Sequence, residues 1–195
     1  MPAYILLILI WTGYFTFHSL LAAHFVKNRA ERSLGLSGKK YRMMYVLLSV
    51  ILLIPLLWYT AAHQGNRLFE VSVWTQFIGL MLATYGVFIV REGFRYYHTP
   101  AFLGLANPEL EQDKLVIEGL NRYVRHPLYA GTILIVLGLV VFLPTMTNLI
   151  VFILILIYTL IGIKLEEKKL VEQFGQEYED YRKNVPMLIP KIFKR

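Results

Sequence analysis

The sequence predicts an all-α integral membrane protein with about five transmembrane helices, and three observations carry that prediction. Apolar residues form 56% of the 195-residue chain and charged residues only 17%, whereas soluble domains carry about 45–50% and about 25%. The apolar surplus is gathered into long uncharged runs, each close to the roughly 20 residues that cross about 30 Å of hydrocarbon. The charges fall between and after those runs, with the basic ones concentrated on alternate connections.

The first run, Ala3 to Val26, is interrupted only by His18 and His24. It is expected to persist as a helix of the mature protein, because no basic leader precedes it and it exceeds a signal-peptide core in length. The second run spans Met43 to Ala62 with a kink expected at Pro55, and the third spans Val71 to Val90. From Leu128 to Ile163 no charge appears, which is too long for a single span. Pro144, Thr145, Thr147 and Asn148 supply turn chemistry inside it. The expectation is a tight hairpin of Leu128–Leu143 and Met146–Ile163. Nineteen of the twenty basic residues then fall on one side, Arg67 being the exception. By the positive-inside rule that side is cytoplasmic, with the amino terminus outside and the carboxyl terminus inside. One membrane domain is expected, with three helices in residues 1–97 and the functional core in 98–195.

The formal net charge is +7. Its placement at membrane borders points to anionic lipid headgroups as partners rather than to nucleic acid. With no cysteine, the chain has no disulfide, thiolate metal site or nucleophilic thiol. No histidine pair has metal-ligand spacing on one helix. A Gly-rich dinucleotide loop, a Walker loop and a nucleophile elbow are also absent.

Two segments carry more than anchoring charge. In the first, a β-prone run Asp113-Lys-Leu-Val-Ile-Glu-Gly119 precedes Asn121-Arg-Tyr-Val-Arg-His-Pro-Leu-Tyr-Ala-Gly131. Pro127 suits the first turn of a helix, where a missing N–H is harmless. Arg125 and His126 then stand at a helix amino terminus, suited to a carboxylate or phosphate. The same pair also serves as an ordinary interfacial anchor, Tyr123 and Tyr129 as an aromatic belt, and Gly131 with Gly138 as a packing stripe. In the second segment, Glu166 and Glu167 follow the last span directly, an unusual place for adjacent carboxylates. Leu170, Val171, Phe174, Tyr178 and Tyr181 then recur at helical spacing. This predicts one amphipathic cytoplasmic helix over Lys164–Lys183, or a solvated juxtamembrane helix with pairs such as Glu179 with Lys183.

Arg125-His-Pro-Leu-Tyr-Ala-Gly131, with Leu115-Val-Ile-Glu-Gly119 before it and Glu166-Glu167, Phe174-Gly175, Tyr178, Tyr181 and Val185-Pro186 after it, resembles the signature of isoprenylcysteine carboxyl methyltransferases. The resemblance covers about residues 113–190. It implies S-adenosylmethionine as methyl donor and, as acceptor, the carboxylate of a prenylated cysteine entering from the bilayer. It places the donor against Asp113, Lys114, Leu115 and Val116, then Asn121, then His126, Pro127, Leu128 and Tyr129, and one of Glu166 or Glu167. Asn121 stands where a eukaryotic member has tyrosine, and Gly162 where such members place a substrate-binding arginine. The residues suggest matching roles: Arg125 or His126 for the donor's carboxylate, a glutamate for a cationic group, and Tyr123 or Tyr129 for adenine or the sulfonium. Methylation of a phospholipid amine is the alternative activity, and a non-enzymatic ligand-binding or scaffold protein the alternative class.

Overall fold

A computed structural model describes residues 2–36, 38–96, 100, 103, 105 and 114–191. Seven α-helices and one short 3₁₀ turn lie among them, and no strand. The helices are α1 (Pro2–Ala22), α2 (His24–Leu34), α3 (Gly38–Ala62), α4 (Val73–Phe94), α5 (Pro127–Phe142), α6 (Met146–Phe174) and α7 (Gln176–Asn184). Four of them, α1, α3, α4 and α6, are long and apolar enough to cross a membrane, and α5 is a shorter apolar helix. Large apolar side chains point outward along them, among them Ile54, Trp74 and Phe88. That arrangement suits a lipid surround, because a helix satisfies its own backbone there. The chain divides into two compact units, Met1–Asn66 with Tyr97–Gln112, and Arg67–Tyr96 with Asp113–Arg195.

In the first unit α1 pairs with α3 through polar side chains set among apolar ones. The Trp11 indole donates to Thr60 Oγ1 at 3.1 Å, and the Tyr41 hydroxyl donates to the Leu21 carbonyl at 2.7 Å. Such bonds hold helices together where the hydrophobic effect between them is weak. The expected first span does not run unbroken to Val26. It ends at Ala22, the chain bends at Ala23, and α2 begins at His24 and stops at Gly35, whose φ of 61° a side chain would disfavour.

The second unit is organised by α4 and α5. Ser72 and Thr75 form a capping box that starts α4. Gly79, Gly86 and Gly93 recur every seven residues along it, and Gly131 and Gly138 do so along α5. A Cβ on Gly138 would lie 2.6 Å from the backbone of both Ala83 and Gly79, and one on Gly86 2.6 Å from the Gly131 carbonyl. The two backbones are therefore in direct contact, the packing role expected for the α5 glycines. The expected hairpin turn between α5 and α6 also forms. Thr145 caps α6 by accepting from the Asn148 N–H, Asn148 Nδ2 donates to the Leu143 carbonyl, and the Leu68 N–H donates to Pro144.

Four expectations are corrected. Lys114–Glu118 of the β-prone run forms no strand; it is an irregular segment leading into the 3₁₀ turn Gly119–Arg122, since no second strand lies among the described residues to pair with it. The last apolar helix is not a short arm ending at Ile163: α6 continues to Phe174 through 29 residues. The amphipathic segment is accordingly two helices, because Gly175, at φ 55° and ψ −127°, breaks the chain between α6 and α7. Within α7 the ion pairs are Arg182 with Glu179 and Lys183 with Asp180, not Glu179 with Lys183.

Replacing Gly138 with leucine is expected to lower stability by about 1–3 kcal/mol, because the backbone of α4 cannot give way. Gly162→Ala, where nothing lies within 4 Å, is expected to hold stability or raise it. Thermal unfolding in detergent compares the two.

Candidate functional site

The second unit buries polar side chains at the α5–α6 turn (Thr145, Thr147 and Asn148) and again, with its buried ion pair, where α5 begins and α6 leaves its apolar stretch. Pro127 occupies the first turn of α5 and is fully buried. It fixes the backbone angle there, and His126 precedes the helix in a non-helical conformation, with φ −125° and ψ 68°. The N–H groups of Arg125 and His126 donate to Pro186 and Met187 at 2.9 and 3.1 Å, which lays the C-terminal segment alongside them.

The Arg125 guanidinium is bonded on every side. Its Nε donates to Glu167 Oε1 at 2.8 Å, its Nη2 lies 2.7 Å from the same oxygen, and its Nη1 donates to the carbonyls of Arg182 and Val185. His126 Nε2 stands 3.0 Å from Glu167 Oε1 as well. The side chains of Arg125 and Glu167 are only 9% and 13% exposed, so the planar fork of an arginine, rather than a lysine, suits the place. One turn position away, Glu166 Oε2 accepts from the Tyr129 hydroxyl at 2.8 Å. Glu167 thus faces the Arg125–His126 pair, and Glu166 faces Tyr129.

The tail helix α7 completes the cluster with two buried tyrosines. Tyr181 donates to the Asn121 carbonyl at 2.6 Å, while Asn121 Nδ2 donates back to Val116. The Tyr178 hydroxyl is buried beside Glu167 and Arg125 without a hydrogen bond. Burial, with the Glu167 charge adding to it, pushes this phenol above the usual tyrosine range.

Arg125, His126, Tyr129, Glu166 and Glu167 therefore converge, with Asn121 and Val116 joined to them through Tyr181. Leu128 instead packs against Gly93 of α4. Lys114 is exposed and Leu115 half-buried. Tyr123 is 63% exposed and lines a separate open pocket of about 380 Å³ with Glu92, Tyr96 and Glu118. Asp113 and His98 lie outside the described residues. Sequence reasoning missed Glu92 and Tyr96 because only folding brings the end of α4 beside the 3₁₀ turn. It placed Tyr178 and Tyr181 on a helical face and in the signature but gave neither a role; Tyr181 fastens α7 to Asn121. Among the described residues no three histidine or acidic side chains are grouped to hold a metal ion.

Fold and site together define a polytopic helical membrane protein with an ion-paired polar centre at the edge of its apolar zone. The chain belongs to the NnrU protein family, which matches residues 6–191. It is similar to the methanethiol S-methyltransferase of Crocosphaera subtropica, 30% identical over 161 residues, covering 79% of this chain and 62% of that protein. Methanethiol S-methyltransferase 2 of Bradyrhizobium diazoefficiens is 28% identical over 189 residues, covering 91% and 70%. The protein-S-isoprenylcysteine O-methyltransferase of Schizosaccharomyces pombe is 42% identical over 79 residues, covering 40% and 34%. That likeness bears out the resemblance expected from the motifs. The chain spans about three fifths of the length of the Crocosphaera relative. No solved structure matches it.

Glu167→Gln is expected to cost about 3–5 kcal/mol, because it strands a buried guanidinium; thermal unfolding checks this, and faster proteolysis of residues 176–191 should accompany it. Tyr178 favours the folded state while neutral, a contribution complete below its ordinary pKa and lost as pH rises toward its elevated one. Tyr178→Phe should therefore flatten the decline in melting temperature above about pH 10.

Proposed function

We propose that this chain is a membrane methyltransferase using S-adenosylmethionine, with the donor held at the start of α5 beside Glu166 and Glu167. One observation carries the reading: His126 and Tyr129 meet adjacent carboxylates of α6 at 3.0 and 2.8 Å at an apolar border. The residues fit the donor chemically. It carries a carboxylate, an ammonium and a sulfonium. The first-turn N–H groups of α5 have no acceptor within the helix and suit the carboxylate. Glu166 suits the ammonium, and the Tyr129 ring suits the sulfonium. When bound, the donor supplies an electrophilic methyl group.

The chain's own part is to position and to exclude water. Arg125 is spent internally, and its role is to hold Glu167 and the 182–185 carbonyls in register. The one-sided basic residues support a cytoplasmic face for the site.

For the acceptor we favour a small thiol, which reacts as its thiolate and loses its proton to solvent. The relatives that cover most of this chain carry that activity in their names. Gly162 also leaves open space in place of a cation for a substrate carboxylate. The second reading, the carboxylate of a prenylated cysteine, rests on the higher local identity to the Schizosaccharomyces protein.

Purified protein is expected to bind S-adenosylhomocysteine in calorimetry, and Glu166→Gln to weaken it by roughly tenfold, the value of one hydrogen bond to a charged group. Absence of binding to the wild type would leave only a scaffold or other non-enzymatic role. Labelled methyl transfer to methanethiol, a farnesylcysteine analogue and phosphatidylethanolamine then separates the thiol, carboxylate and amine acceptors.

A further inference from the structure

One cavity of the second unit plays no part in the donor site. It measures about 380 Å³, and its walls include Glu92, Tyr96, Glu118, Arg122 and Tyr123. That volume falls within the range of small-ligand sites, about 300–1,000 Å³. The cavity lies where α4 ends: Glu92, with Arg91, is the first charge after the apolar run of that helix. At the end of a spanning helix it meets the headgroup layer rather than the hydrocarbon.

The 3₁₀ turn Gly119–Arg122 builds one wall. Asn121 and Val124 are buried, and the Asn121 carbonyl accepts from Tyr181, whereas Arg122 and Tyr123 between them are exposed. The turn therefore gives one pair of residues to the interior and the other to the cavity. Gly119 holds φ at 56°, and a Cβ on it would run into the Tyr96 ring. The ring is seated directly on the backbone of the turn, a place that only glycine allows.

Both signs of charge face this cavity. Glu118 and Arg122 are exposed, and among the described residues neither side chain has an ion-pair partner. Glu92 is paired with Arg95 at 3.0 Å, an exposed pair of small worth. A simple anion would meet two carboxylates here, and a simple cation would meet the Arg122 guanidinium. A ligand carrying both an ammonium and a phosphate satisfies both, with the phenol rings of Tyr96 and Tyr123 suited to the ammonium. We infer that the cavity binds the headgroup of a zwitterionic phospholipid, its ammonium at Glu118 and Glu92 and its phosphate at Arg122. This site is independent of the donor pocket proposed above.

The test uses the full chain, delipidated in detergent and offered dioleoyl lipids one at a time, with bound lipid counted by native mass spectrometry. Phosphatidylethanolamine or phosphatidylcholine should be retained above both the anionic phosphatidylglycerol and the cationic trimethylammonium-propane lipid. The stronger of the two zwitterions identifies a primary or a quaternary ammonium. Arg122→Gln should weaken zwitterion binding about threefold, the worth of one exposed ion pair, and raise that of the cationic lipid. Glu118→Gln should weaken it by a similar factor and raise that of the anionic lipid. Both positions are exposed, so the fold, followed by circular dichroism, should be unchanged. Preference for a singly charged lipid of either sign would overturn the site. So would zwitterion retention that neither substitution alters, since that marks binding elsewhere on the chain.

Discussion

A carboxylate oxygen that receives three charged or polar donors, at the point where a helix leaves an apolar environment, is the constraint on which the second unit depends. Glu167 Oε1 is met by Nε and Nη2 of Arg125 and by His126. Two buried charges are tolerated only when each is matched in geometry and in remaining hydrogen bonds. Arg125 meets that condition by sending its third edge to the carbonyls of Arg182 and Val185. The consequence is structural as much as electrostatic, because one guanidinium fastens the start of α5, the exit of α6 and the C-terminal segment together.

Tyr129 and Glu166 sit beside this fastening without belonging to it. That separation gives adjacent glutamates different work. Glu167 is consumed by the fold, whereas Glu166 accepts from the Tyr129 hydroxyl. A hundred degrees of helix rotation between neighbours is enough to divide the roles.

Much of this was legible in the chain itself, and the reasons differ from residue to residue. The spans follow from hydropathy, and the α5–α6 turn from Pro144, Thr145 and Asn148, because local turn chemistry is carried by the residues at the turn. Pro127 marked the start of α5 for the same reason. The continuation of α6 to Phe174 was not legible, since charged residues after Ile163 resemble a membrane exit even when the helix persists in water. Nor was the commitment of Arg125 to internal carbonyls, because those carbonyls lie about sixty residues further on and only folding brings them near. Glu92 and Tyr96 beside Tyr123 were hidden on the same ground.

The glycine contact between α4 and α5 restricts how the chain can change over time. With about 3.6 residues per turn, one inserted residue between Gly79 and Gly93 would swing the remaining glycines about 100° away from α5. A bulky side chain would then meet backbone where none can be accommodated. The length of α4 between those positions is thus frozen, while its lipid-facing side chains are free to drift among apolar types. Divergent family members should keep the phase of this stripe long after their outward residues have lost all similarity.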